Sequence, residues 1–200
     1  MAKRILKGGA LLAPVPAVMV SVGDESEKNI LTVAWCGTVA TQPPKTYISV
    51  RPSRHSYEII RKTGEFVINL VPASLAKTAD YCGIYTGAKV DKFEKCGLTP
   101  VPCEGVSAPA IAECPVSIAC RVSEIVPMGT HDMFLADVVA VEADEALFDA
   151  KDALHLEKAE LCAYVHGAYF KLGAKIGTFG FSAAKKKKKK GITNHGKSKD

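Results

Sequence analysis

A mainly β fold with short helices is what this sequence predicts. Apolar residues recur at every second position in several short runs, the period of a half-buried strand. Glycine and proline punctuate those runs, with 16 Gly and 11 Pro in 200 residues. Helical spacing is confined to brief segments. Runs of this kind, joined by turns, favour an antiparallel barrel that closes on itself, because closure removes exposed strand edges.

Taken in order, Val18, Val20 and Val22 alternate with Met19 and Ser21, and Gly23-Asp24 turns the chain. Residues 30–41 read as the next strand and Thr46–Val50 as the one after. Ser53 is placed to cap a helix over about residues 54–62, with Gly64 ending it. Glu65–Leu70 alternates again, putting Phe66, Ile68 and Leu70 on one face. Ser74 to about Ile84 has helical spacing through Leu75, Ala79 and Cys82. Residues 85–115 are rich in Gly and Pro and read as a long surface loop with a short helix near Asp91–Lys95. A loop of that length in a compact domain is often functional. Val116–Val126 and Met133–Val141 make two long strands linked by Pro127-Met128-Gly129-Thr130, and a last strand is expected near Leu161–Val165. No internal repeat is present.

Length and composition suit a single domain, with 48% hydrophobic residues to fill its core. No apolar run approaches the roughly 20 residues that cross a bilayer. The basic N-terminus, Met1 to Gly9, is followed by Pro14 and Pro16 in the apolar stretch, so it is not read as a signal peptide. A cytoplasmic protein is the expectation. The net charge of +5 is misleading, because residues 185–200 alone hold eight Lys and one Asp. The remainder has 18 Lys and Arg against 20 Asp and Glu. A near-neutral body argues against a nucleic-acid-binding face. The expected organisation is one domain over residues 1–184 and a disordered lysine-rich tail over 185–200. The seven cysteines are odd in number and none is spaced Cys-x-x-Cys, which supports neither a zinc site nor a redox dithiol. Scattered thiols of this kind fit a reducing compartment.

Two neighbouring stretches carry chemistry. The first runs from Asn29 to the double proline Pro43-Pro44 and includes Thr32, Ala34, Trp35, Cys36, Gly37 and Thr38. A strand ended by prolines leaves backbone polar groups free for the edge of a flat ring. Thr38 and Thr41 add hydroxyls, and Trp35 can pack beside a ring. By itself the run fits an ordinary barrel strand with a core tryptophan better. The second stretch is Ser49 to Tyr57, with Val50, Arg51, Ser53, Arg54, His55 and Ser56 where a strand meets a helix start. Free N–H groups and the helix dipole favour an anion there, and arginine binds phosphate in a forked pair. A capped helix with solvated charges is the other reading. One short strand separates the two stretches, and together they describe a flat ring with an anionic handle.

Thr-Val-Ala-Trp at 32–35 with the double proline, Ser-Val-Arg-Pro-Ser-Arg-His-Ser at 49–56 and Gly-Glu-Phe-Val-Ile-Asn-Leu at 64–70 occur together here. In order and spacing they resemble the flavin reductase-like, FMN-binding split-barrel family, which includes flavoredoxins. The resemblance covers about residues 14–173. It implies a split β-barrel that binds FMN without covalent attachment, in a homodimer, with FAD as the alternative flavin. It further implies that Lys92, in Lys92-Phe93, approaches the phosphate. The resemblance also implies that Tyr169, in the closing segment His166 to Gly173, covers the ring. By the same resemblance His131 stands at the corner near where a nicotinamide or substrate docks. Family members frequently carry Gly-Asp-His at that corner, whereas here the order is Gly129-Thr130-His131-Asp132, which leaves an Asp–His pair open. The expected activity is NAD(P)H:flavin oxidoreduction, with Thr38 or nearby backbone at the reacting edge. The alternative is a flavoredoxin-like carrier exchanging electrons with a protein partner.

One string misleads. Gly191 to Ser198 matches the phosphate-loop pattern, but a lysine run precedes it where a buried strand is needed. No Rossmann fingerprint, His-Glu-x-x-His or nucleophile elbow is present.

Overall fold

In the computed structural model, residues 1–183 are described. The expected disordered tail and the phosphate-loop-like string lie outside them. Twelve strands and three α-helices follow in order. The first half comprises β1 (Val15–Pro16), β2 (Val18–Gly23), β3 (Lys28–Val33), β4 (Cys36–Thr41), β5 (Pro44–Val50), α1 (His55–Thr63), β6 (Glu65–Leu70) and α2 (Ala76–Ile84). Then come α3 (Lys92–Cys96), β7 (Pro100–Cys103), β8 (Val106–Ile111), β9 (Val116–Pro127), β10 (Asp132–Ala143), β11 (Cys162–Val165) and β12 (Ala168–Lys171).

Seven strands form one sheet in the order β3-β2-β6-β9-β10-β5-β4, and all its pairings are antiparallel. Laid flat, its edges β3 and β4 would stand about 29 Å apart at six strand spacings. Only Ala34 and Trp35 join them, however, and three peptide links span at most about 11 Å. The sheet must therefore curl until its edges nearly meet. Those edges are not hydrogen-bonded to each other, so the expected full closure does not occur. The single strand expected over 30–41 is for the same reason two strands broken by a bend. The opening falls beside that bend.

Curling explains why β2 is buried at every residue. Val18, Val20 and Val22 point into the barrel with Ile48, Phe66 and Phe134. Met19 faces outward into a second core, where Ile30, Ala79, Cys82, Phe93 and Ile111 cover it. Each fully buried large side chain contributes about 1.5–3 kcal/mol. The Asn69 side chain, fully buried in β6, ties the layers together. Its amide donates to Met19 O (3.1 Å) and Ser21 Oγ (2.9 Å), and its oxygen accepts from Ile111 N (3.0 Å) and Ser117 Oγ (2.9 Å).

Several local expectations need correction. Pro43 sits in the exposed turn of the β4–β5 hairpin and Pro44 opens β5, where it pairs with Thr41. They do not end a strand at a ligand. Arg54, not Ser53, is the N-cap of α1, and no side chain caps it. Gly64 does end α1, with φ +68°. The long loop at 85–115 contains the hairpin β7–β8 as well as α3, whose N-cap Asp91 accepts from Phe93 N and Glu94 N. β12, unforeseen in the sequence, pairs with β11 across the turn His166-Gly167. No helix among the described residues is long and apolar enough to cross a membrane.

Candidate functional site

A cleft of about 580 Å³ opens where β3 bends, bounded by β5, the start of α1, the end of α2 and the β11–β12 hairpin. That volume lies within the roughly 300–1,000 Å³ usual for small-ligand sites.

One end of the cleft is aromatic. Trp35, at the bend, is 44% exposed, and its ring centroid lies 4.8 Å from that of His131 with the planes tilted by 57°. His131 reaches this point because the β9–β10 turn closes with Met128 N donating to His131 O (2.9 Å). Arg51 Nε donates to His131 Nε2 (3.3 Å), which leaves Nδ1 to carry the proton and donate to Thr130 Oγ1 (3.0 Å). Desolvation, then the charges of Arg51 and Arg54, hold this imidazole below its usual range, so it is neutral at pH 7. Asp132 takes no part in that arrangement, because its carboxylate accepts from Tyr57 Oη. The Asp–His pair left open by the sequence is thus absent.

The other end is cationic. Arg51 and Arg54 line it with Ser53, His55 and Ser56. At the uncapped start of α1, Arg54 N donates to Arg51 O and Tyr57 N to Arg54 O. The amides of His55 and Ser56 have no acceptor among the described residues. Two free amides at a helix N-terminus beside two guanidiniums and two hydroxyls form an anion cradle. Arg54 Nη1 also donates to Gly83 O at the end of α2 (2.9 Å), which fixes the guanidinium over the cradle's rim. Asn29 Nδ2 donates to Ser56 Oγ (2.8 Å), leaving the hydroxyl proton of Ser56 free to donate. Gly87 packs so closely on Asn29 that a β-carbon there would lie 2.3 Å from its Oδ1.

Lys92 behaves differently from expectation. It is only 3% exposed, and its Nζ donates to Ile30 O (2.7 Å) and Cys82 O (2.8 Å), joining β3 to α2. Desolvation first, opposed by Cys82, brings its amine down to about 8. Lys92 still borders the cleft, with its third N–H uncommitted among the described residues.

The cleft collects Asn29, Thr32, Ala34, Trp35, Ser49, Val50, Arg51, Arg54, His55, Ser56, Lys92, His131 and Tyr169 from the sequence candidates. It leaves out Cys36, Gly37 and Thr38, which follow the bend into β4 and run along the sheet edge. Burial pushes the Cys36 thiol up to about 12, which makes it an unreactive group. The sequence reading missed two parts of the wall. Asp80 to Gly87 arrive through α2, docked where Thr32 Oγ1 donates to Ala79 O. Tyr164 lies directly across from Tyr169 in the β11–β12 ladder, with the rings edge-on at 5.3 Å. The two-residue turn His166-Gly167 was the signal for that hairpin.

Several known proteins are similar to this chain in sequence and fold. The flavoredoxin of Desulfovibrio vulgaris (Miyazaki F) is 30% identical and superposes with a TM-score of 0.84, over 92% of this chain and 100% of that one. A split-barrel structure from Shewanella frigidimarina superposes with a TM-score of 0.73 at 22% identity, over 82% and 84% of the two chains. Among curated sequences, an uncharacterised protein of Archaeoglobus fulgidus is 31% identical over 70% of this chain and 78% of its own. The FMN reductase (NADH) RutF of Bradyrhizobium diazoefficiens is 22% identical over 66% and 71%. The fold is therefore a split β-barrel. The model of the flavin reductase like domain matches residues 11–173, and the chain belongs to that family.

Proposed function

We propose that the protein binds FMN in this cleft and acts as an NAD(P)H:flavin oxidoreductase. The observation that carries the reading is the juxtaposition of an aromatic end at Trp35 and His131 with an uncapped helix start held between Arg51 and Arg54. A flavin phosphate matches the second and a flavin ring the first. Three cations, Arg51, Arg54 and Lys92, face the cleft against one carboxylate, Asp80, so an anionic ligand is favoured.

The flavin, when bound, supplies the electron chemistry, accepting or releasing one or two electrons. Every other task falls to groups of the chain itself. Arg51, Ser53, Ser56 and the amides of His55 and Ser56 hold the phosphate. Trp35, Ala34 and Thr32 form the slot beside β3, and Tyr164 and Tyr169 shut out water on the far side. His131 is a positioning group. Neutral, and fixed by Arg51 and Thr130, it keeps the open face beside Trp35 polar without adding charge. A nicotinamide donor would enter over that face. Hydride transfer needs no general acid or base, which fits a cleft with no candidate pair in it.

A carrier that passes electrons to a protein partner is the second reading. The 30% identity to a flavoredoxin across the full length of that chain favours it. Anaerobic titration separates the two. Bleaching of the FMN-loaded protein by NADH or NADPH, with colour returning on reoxidation, supports the reductase. Bleaching by dithionite or reduced ferredoxin alone rejects the reductase in favour of the carrier.

We further infer a homodimer and a reducing, cytoplasmic setting. Exposed apolar Ile84 and Tyr85, on the α2 side of the cleft mouth, support a second copy there, and seven unpaired cysteines support the setting.

A further inference from the structure

One charge in the main cleft runs against its chemistry. Asp80, exposed on α2, is the sole carboxylate among the lining residues, where Arg51, Arg54 and Lys92 gather for an anion. A bare aspartate at that rim only weakens the attraction. No ion pair among the described residues includes it. Its partner is a tyrosine from another element. The Tyr169 hydroxyl donates a hydrogen bond to the Asp80 carboxylate. Burial, then the Asp80 charge, then that hydrogen bond push the phenol up to about 12, so at neutral pH it stays protonated and a donor.

Tyr169 stands on β12, the edge of the small sheet β1-β11-β12, where β11 is its one neighbouring strand. The β11–β12 hairpin is anchored at its base. Cys162 N donates to Val71 O (3.0 Å), and Lys171 Nζ lies 2.7 Å from Glu160 Oε1. β1 holds β11 along its length, with Val15 opposite Tyr164. The turn at His166-Gly167 is exposed. Alternation along β12 sets Tyr169 toward the cleft and leaves its neighbours Ala168 and Phe170 exposed. β11 thus has a strand on each side and β12 has one, so β12 is the strand less firmly held. The Tyr169 ring packs edge-on against Tyr164, and its hydroxyl reaches across to α2.

We propose that Asp80 is a positioning residue, which latches the β11–β12 hairpin over the flavin by holding the Tyr169 hydroxyl and so sets how slowly the flavin leaves. The proposal rests on the reading of the main cleft as a flavin site and deepens it. Asp80 acts through the tyrosine and not on the ligand. With the latch made, Tyr169 stays beside Tyr164 and the cleft wall is closed on that side. With it broken, β12 keeps β11 alone, and the ring is free to turn outward with the hairpin. The hydrogen bond also accounts for a carboxylate in a cationic cleft, since a donor engages it instead of leaving it bare before the anion.

The test measures release of FMN from the loaded protein, read as the rise of flavin fluorescence after rapid dilution. The proteins compared are the wild type, Asp80→Ala, Asp80→Asn, Tyr169→Phe and the Asp80→Ala/Tyr169→Phe double variant. Asp80→Ala and Tyr169→Phe are each expected to speed release by about three- to tenfold, the loss of one hydrogen bond to an exposed charged acceptor. The double variant is expected to release FMN no faster than the faster single variant, because both changes remove the same bond. Asp80→Asn, whose amide oxygen still accepts, is expected to stay within about twofold of the wild type. Unchanged release in Asp80→Ala, or a double variant in which the two effects multiply, overturns the latch while the flavin cleft stands. Faster release in Asp80→Ala and Asp80→Asn alike, with Tyr169→Phe unaltered, also overturns it, because Asp80 then acts without the tyrosine. Failure of the wild type to bind FMN removes the reading of the main cleft and this proposal together.

Discussion

Lys92 shows how a residue is recast by its surroundings. In sequence it is one lysine before a phenylalanine, with nothing to separate it from a solvated charge. In the fold its amine bridges two backbone carbonyls from elements far apart in the chain. Burial brings its pKa down to about 8 from the usual 10.5. Between those values the folded protein binds fewer protons than the unfolded chain, so stability rises with pH across that window. Below about pH 8 both states are charged, and the folded state bears the full desolvation cost. Replacing the residue by methionine removes that cost but leaves two carbonyls without a donor, worth about 1–3 kcal/mol. Above pH 8 a neutral amine still donates to both. The stability advantage of the wild type over Lys92→Met should therefore widen from pH 7 to pH 10 in urea unfolding. Parallel pH profiles would show that the amine is not held as described.

At the scale of elements, legibility in the sequence followed locality. Strands β2, β6, β9 and β10 announced themselves by alternation, and Gly64 marked where α1 stops. The β7–β8 hairpin was hidden because Pro100, Pro102 and Pro109 break the strand pattern. A two-stranded edge ribbon tolerates them, since a proline facing solvent loses no ladder bond. The bend at Ala34–Trp35 was equally silent, because it answers to curling of the whole sheet. For the site, the helix start at Arg51–Ser56 was readable from residue types alone. The wall from Asp80 to Gly87 was not, since α2 reaches the cleft by packing on β3. Gly87 tests that packing. A methyl group there must push the Asn29 amide away from Ser56, and the clash falls on the far end of a side chain that can move. Gly87→Ala should keep its circular dichroism spectrum and lose about tenfold in FMN affinity, near 1.4 kcal/mol. Unaltered affinity would mean that Asn29 does not set the cradle.

For the whole molecule, the two ends of the charge distribution have separate meanings. The positive net charge comes from residues 185–200, and the remainder of the chain is slightly acidic. Attraction of an anionic cofactor therefore depends on the cleft, where the local excess is positive, and not on the overall charge. We expect deletion of residues 185–200 to turn the protein acidic by isoelectric focusing and to leave FMN affinity within twofold at 0.15 M salt, where charges beyond about 8 Å are screened. A larger loss would tie the terminal lysines to the flavin.

The central claim is that the bend of β3 and the bare start of α1 hold one flavin by ring and phosphate at once. Calorimetric titration of FMN and riboflavin into the wild type and an Arg51→Ala/Ser56→Ala double variant tests it most directly. The account predicts that the double variant loses at least about tenfold more affinity for FMN than for riboflavin, because only FMN carries the phosphate that these side chains hold. Equal losses for the two ligands, or no binding of either by the wild type, would contradict it.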